Sequence, residues 1–156
     1  MNKAIIYFGI WLLCGTPAFS SEEEAWSQAA ALYQAGEFAS AYLPAGQDLE
    51  NHPNHPVLIR LMGMCLLDAG YPVQAVALLR EGVNLHPESV AMAFYLAQAY
   101  AYSGYYEDAI VLARQILDHA PESEYGLRCS EALPELLALQ QQRGTASGSS
   151  DRFDLY

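Results

Sequence analysis

Apolar residues recur along this chain at the three-and-four spacing of helices that bury one face, and the pattern stops at regular intervals. Met62, Cys65, Leu66 and Ala69 mark one such face, and Gly70-Tyr71-Pro72 ends it. A second helical run follows and closes at Pro87. The same alternation predicts a helix from Ser21 to the break at Gly36, a partner over Phe38–Leu49, then Val90–Ser103 and Tyr106–His119, and a last helix over 124–142. Ser21 followed by Glu22, Glu23 and Glu24 is a hydroxyl cap with carboxylates against the positive end of a helix dipole. Pro44 and Pro134 fall inside predicted helices, where each removes a backbone donor and predicts a kink or a break.

The interruptions are periodic. Gly36, Gly70 and Gly104 are 34 residues apart, as are Ala41, Ala75 and Ala109, and Pro53, Pro87 and Pro121. Gly63 and Ala75 are small where paired helices must approach, the glycines suit a turn at positive φ, and the prolines end each unit. A helix-turn-helix unit of this period, with Phe38 and Tyr106 opening second helices and Tyr100 at an aromatic site of a first helix, resembles the tetratricopeptide repeat. Departures exist: Ile59 and Ala93 stand at the family's early tryptophan, Gln28 at a leucine site, and Pro72 at an aromatic turn site. The resemblance covers Glu22 to Ser123 and implies an all-α fold, a right-handed α-solenoid of three hairpins plus a C-terminal capping helix. The units fall at about 22–55, 56–89 and 90–123, the cap at 124–142, and 143–156 reads as a flexible Gly/Ser-rich tail.

Composition adds a compartment. Lys3, the apolar run Ala4–Leu13, the break at Gly15 and Pro17, and Ala18-Phe19-Ser20 read as an export signal over 1–20, cleaved after Ser20. This predicts a periplasmic or secreted protein with no membrane span after cleavage. The alternatives are an uncleaved leader acting as an anchor and a lipoprotein modified at Cys14, against which the large Leu13 before it argues. With 18 Asp+Glu against 7 Lys+Arg, phosphate backbones and anionic lipid are disfavoured as partners, and no nucleic-acid binding is expected. Beyond Lys3 every positive side chain is an arginine.

Candidate chemistry is sparse. His52 and His86 share a repeat position, but stacked units hold them roughly 10 Å apart, too far for one metal ion. No phosphate loop, nucleophile elbow or His-Glu-x-x-His run is present, and the acidic clusters sit at helix starts. No catalytic residue, metal or cofactor is therefore expected. Cys65 and Cys129 lie two units apart, about 20 Å by the same spacing, so free thiols are predicted.

The resemblance also implies a site. First helices of successive repeats line a concave face that usually takes a peptide. Here that line gives Trp26 and Tyr33 from the first unit, and Val57, Arg60, Met64, Leu67 and Asp68 from the second. Phe94, Gln98 and Tyr102 follow from the third, and Tyr125 and Arg128 from the cap. Aromatic and aliphatic anchors with two arginines suit an extended or helical peptide. The functional expectation is a non-enzymatic adaptor or scaffold for protein partners in secretion, pilus or envelope assembly. Two alternatives are a secretion-substrate chaperone, similar to three-repeat type III chaperones, and a structural protein that self-associates through an uncovered end.

Overall fold

The fold, a computed structural model, is described over residues 27–148, with side chains over 28–144. Seven helices occur among the described residues: α1 (Ser27–Gln34), α2 (Phe38–Asn51), α3 (Pro56–Asp68), α4 (Pro72–Leu85), α5 (Val90–Tyr102), α6 (Tyr106–His119) and α7 (Glu124–Gly148). The export signal, the Ser21 cap, Trp26 and residues 149–156 lie outside the described residues.

The three hairpin turns share one construction. Gly36, Gly70 and Gly104 have φ of +79°, +85° and +80°. Each glycine N–H bonds back to Tyr33, Leu67 or Ala101 at 3.0 Å. The next N–H reaches Leu32, Leu66 or Tyr100 at 2.9, 2.7 and 2.8 Å. These paired bonds satisfy carbonyls that a helix end leaves orphaned, and they require the left-handed conformation that glycine adopts without strain. The closing prolines sit second in four-residue turns, with His55, Ser89 and Ser123 bonding back to His52, His86 and Ala120 at 3.2, 3.0 and 3.2 Å. His86 Nε2 donates to the Asn54 carbonyl at 2.6 Å, which ties two successive junctions together.

Each helix packs on the next, and the first helices α3, α5 and α7 also pack on one another. The result is an inner layer of first helices and an outer layer of second helices. Leu58, Leu61, Leu79, Met92 and Phe94 are fully buried between them. At Gly63 an added Cβ would overlap the Leu79 side chain, so this glycine lets α3 and α4 close. Cys65 and Cys129 are buried free thiols, and burial pushes them up to about 12 and about 11.

Neither internal proline divides its helix. α2 runs through Pro44, and α7 runs through Pro134 to Gly148, taking up the first residues of the expected tail. The carbonyls that lose their partners belong to Ser40 and Ser130, both exposed, so water can replace the missing donor. Arg143 donates to the Gly104 carbonyl and holds the α7 extension against the third hairpin turn.

Candidate functional site

The inner layer carries a polar cluster contributed by every first helix. Tyr33 of α1 donates its hydroxyl to Asp68 Oδ2 of α3 at 2.6 Å. Gln98 Nε2 donates to the Tyr102 hydroxyl, one turn along α5, at 3.3 Å. Tyr95 is 6% exposed, and its phenol feels Tyr125 and Arg128 of α7 together with Arg60 and Asp68 of α3. The rings of Phe94 and Tyr125 lie 5.2 Å apart, and those of Tyr95 and Tyr125 lie 6.3 Å apart. Arg128 pairs with Glu124 at 2.6 Å and sits 5.9 Å over the Phe94 ring.

Burial shapes the titration of this cluster. Loss of solvation, then Asp68, hold the Tyr33 phenol far above its ordinary range. Burial likewise raises Tyr95, which Tyr125 reinforces and the two arginines oppose, and it raises Tyr102 against the Gln98 hydrogen bond. Asp68 presents exposed surface, yet its carboxyl lies in a hollow of protein atoms. Desolvation raises it, and the Tyr33 hydroxyl only partly offsets this. A carboxyl raised in the fold contributes most below its ordinary pKa, and that contribution fades as pH climbs through the folded value. Relative to Asp68→Asn, wild-type stability should therefore fall as pH rises from the ordinary aspartate range through the raised folded value. Urea midpoints of both chains across that range check this, and parallel profiles would contradict it.

The predicted line of site residues divides. Tyr33, Val57, Arg60, Gln98, Tyr102, Tyr125 and Arg128 are half-buried in the inner layer. Met64 at 2%, Leu67 at 6% and Phe94 at 1% exposure are core side chains. Their burial has a simple cause: α5 packs against both α3 and α7, so these apolar members of the line are sealed at helix interfaces. Trp26 lies outside the described residues. Tyr95 was missed. It stands 34 residues after Leu61, at a position the repeat reads as plain core, and a phenol where another unit has an aliphatic was the available signal.

A second concavity lies on the outer side, a cleft of about 700 Å³ between α2 and α4. Its lining includes Tyr42, Leu43, Ile59, Met62 and Leu85. It opens because Gly46 stands where the following units carry Arg80 and Arg114. Among the described residues no cluster of three or more His, Cys, Asp or Glu is arranged to hold a metal. No described helix is long and apolar enough to cross a membrane.

No family model and no curated protein compared with this sequence matches it. Solved structures do. The Arabidopsis OM64 TPR domain superposes with a TM-score of 0.65 at 13% identity, covering 72% of this chain and 93% of that one. The Yersinia enterocolitica type III secretion translocator chaperone SycD gives 0.66 at 20% identity, covering 79% and 89%. A double mutant of MamA RS-1 gives 0.60 at 19% identity, covering 80% and 78%. At these identities the likeness is one of fold.

Proposed function

We propose that this chain, which has the tetratricopeptide-repeat fold, is an exported, non-enzymatic adaptor that binds a protein partner through its inner face. One observation carries the reading. Four successive first helices bring tyrosines, two arginines and the carboxylates of Asp68 and Glu124 to a single face of an otherwise acidic protein. Tyrosine and arginine give large contact area with hydrogen bonding at low entropic cost, the composition of binding hot spots. Envelope, pilus or secretion assembly is the setting that the leader over 1–20 favours, and N-terminal sequencing of the exported protein should find Ser21 first. A SycD-like chaperone role is the second reading. It fits the fold equally well but calls for a cytoplasmic protein with its leader intact.

Once a partner has been identified by capture from envelope extract, Arg60→Glu with Arg128→Glu should weaken its binding at least about tenfold. Arg114→Glu on the outer layer should leave it within about twofold. Equal affinity of both variants for that partner, measured by calorimetry, would remove the inner face from the mechanism. Light scattering tests the self-assembly alternative, and a monomer is the expected result.

A further inference from the structure

Gly46 has no role in packing the fold. The other described glycines of the three hairpins do. Gly36, Gly70 and Gly104 take positive φ, and at Gly63 and Gly82 an added Cβ would overlap Leu79 and Met92 respectively. Gly46 lies inside α2 without a positive φ, and its added Cβ would meet nothing nearer than Met62 Cε at 3.9 Å, an ordinary contact. After proline, glycine is the residue that weakens a helix most. What its missing side chain provides is the opening of the cleft between α2 and α4.

The junction one repeat later differs from this cleft in three concerted ways. Gly46 and Gly82 of the walls are replaced by Arg80 and Ile116. The rim leucines Leu43 and Leu85, 70% and 44% exposed, are replaced by Ala77 and His119. The carboxylates of Glu50 and Glu81 give way to the amides of Asn84 and Gln115. Open walls, an apolar rim and negative charge thus occur together at one junction and are lost together at the next.

These features select an occupant. The buried Ile59 and Met62 form the floor, the exposed Glu50 and Glu81 stand on opposite walls, and no lysine, arginine or histidine is among the described residues of the lining. An apolar floor between acids suits an apolar side chain with a cation beside it. The leucines stand proud of the rim, so the occupant is wider than the cleft. A small molecule, which a pocket encloses, would leave them in water. Tyr42 to Glu50 is about 12 Å of α2, roughly two helical turns, and a groove between two helices takes a third by anchors at i, i+3, i+4 and i+7.

We propose that this cleft docks a short amphipathic helix of another protein, with leucine-like anchors on the floor of Ile59 and Met62 and lysine or arginine against Glu50 and Glu81. The site lies on the outer side, apart from the inner face, and does not depend on that face binding anything. A chain with both sites joins two partners, one held by the inner arginines and the other by the outer acids.

The probe is a synthetic helical peptide of about 15 residues, with leucine at i, i+3, i+4 and i+7 and lysine on either side, beside a twin in which glutamate replaces every lysine. Fluorescence anisotropy in about 0.15 M salt, where distant charges are screened, reads its binding to the full chain. The lysine peptide should bind at least about tenfold more tightly than its twin. Gly46→Arg, which restores the residue of the later units, should weaken that binding at least about tenfold and should melt no lower than the wild type, because α2 gains a better helix former. Glu50→Gln with Glu81→Gln should weaken it about fivefold and narrow the gap between the two peptides. Arg60→Glu with Arg128→Glu should leave it within about twofold. No binding to the wild type, equal binding to Gly46→Arg, or equal binding of the glutamate twin overturns the proposal. So does a Gly46→Arg chain that fails to fold, because the glycine would then be a packing requirement. A loss at Arg60 and Arg128 as large as that at Gly46 would move the peptide to the inner face, and a concentration-dependent dimer that Gly46→Arg abolishes in light scattering would give the cleft to a second copy. Either result also overturns it.

Discussion

Replacing Phe94 by alanine should lower folding stability by about 4 kcal/mol, the range for a fully buried aromatic. The ring is 1% exposed, lies 5.4 Å from Tyr95 and 5.2 Å from Tyr125, and carries the Arg128 guanidinium on its face. It stands where α5 meets α7, so truncation opens a cavity at the last interface of the stack. In a solenoid each unit is held mainly by its neighbours, and this loss is not shared across the fold. Thermal melting should drop by about 10 °C or more. Tyr102→Ala, at a half-buried position on the same helix, should cost about 1 kcal/mol and act mainly on binding. A Phe94→Ala chain that melts with the wild type yet loses its partner would return Phe94 to the binding face. Denaturant unfolding of the two variants beside a binding titration separates the outcomes.

The same residue shows how far the sequence reaches. The period of 34 placed every turn, because glycine at positive φ and proline in a four-residue turn are local requirements that leave local marks. The ends of α2 to α6 followed to within a residue or two, whereas α7 runs six residues past its expected end, and Gly63 was readable as a point of close approach. The depth of a side chain within the inner layer was not readable. Repeat register says which helix face a residue occupies, but Met64, Leu67 and Phe94 differ from Arg60 and Tyr102 only in how far α3, α5 and α7 close over them. That closure depends on the neighbours' volumes, which no single unit encodes. Tyr95 was hidden for the opposite reason. Its position is core by register, and its hydroxyl matters only because Arg60 and Arg128 arrive from two other helices. Neither Pro44 nor Pro134 ends its helix, because a missing hydrogen bond on the solvent side costs little.

Gly126→Ala should be the most disruptive of the small-residue substitutions, at about 3 kcal/mol net. An added Cβ there would overlap the Ala120 carbonyl oxygen and come 2.8 Å from that of Pro121, both backbone atoms in the junction that leads into α7. At Gly63 the nearest obstruction is the side chain of Leu79, whose Cγ would lie 2.6 Å away, and this leucine is fully buried, so it must be displaced within the core. Alanine improves helix propensity by about 1 kcal/mol at either site, so the sign of each change is decided by what must move. Gly63→Ala should therefore also cost stability, by about 1 kcal/mol net, and pairing it with Leu79→Val should recover part of that loss, a coupling that a double-mutant cycle reads directly. No side-chain partner can relieve Gly126, because the junction itself must shift, and overpacking against backbone lies at the upper end of its range. Displacing the start of α7 also moves Tyr125 and Arg128, which flank Gly126 in the same opening stretch of the helix. Hydrogen exchange should therefore show protection lost across α7 while α3 and α4 stay protected, together with weaker binding to any partner that needs Arg128. Uniform loss of protection along the whole chain would mean that the cap is integral to every unit rather than a cover for the last one.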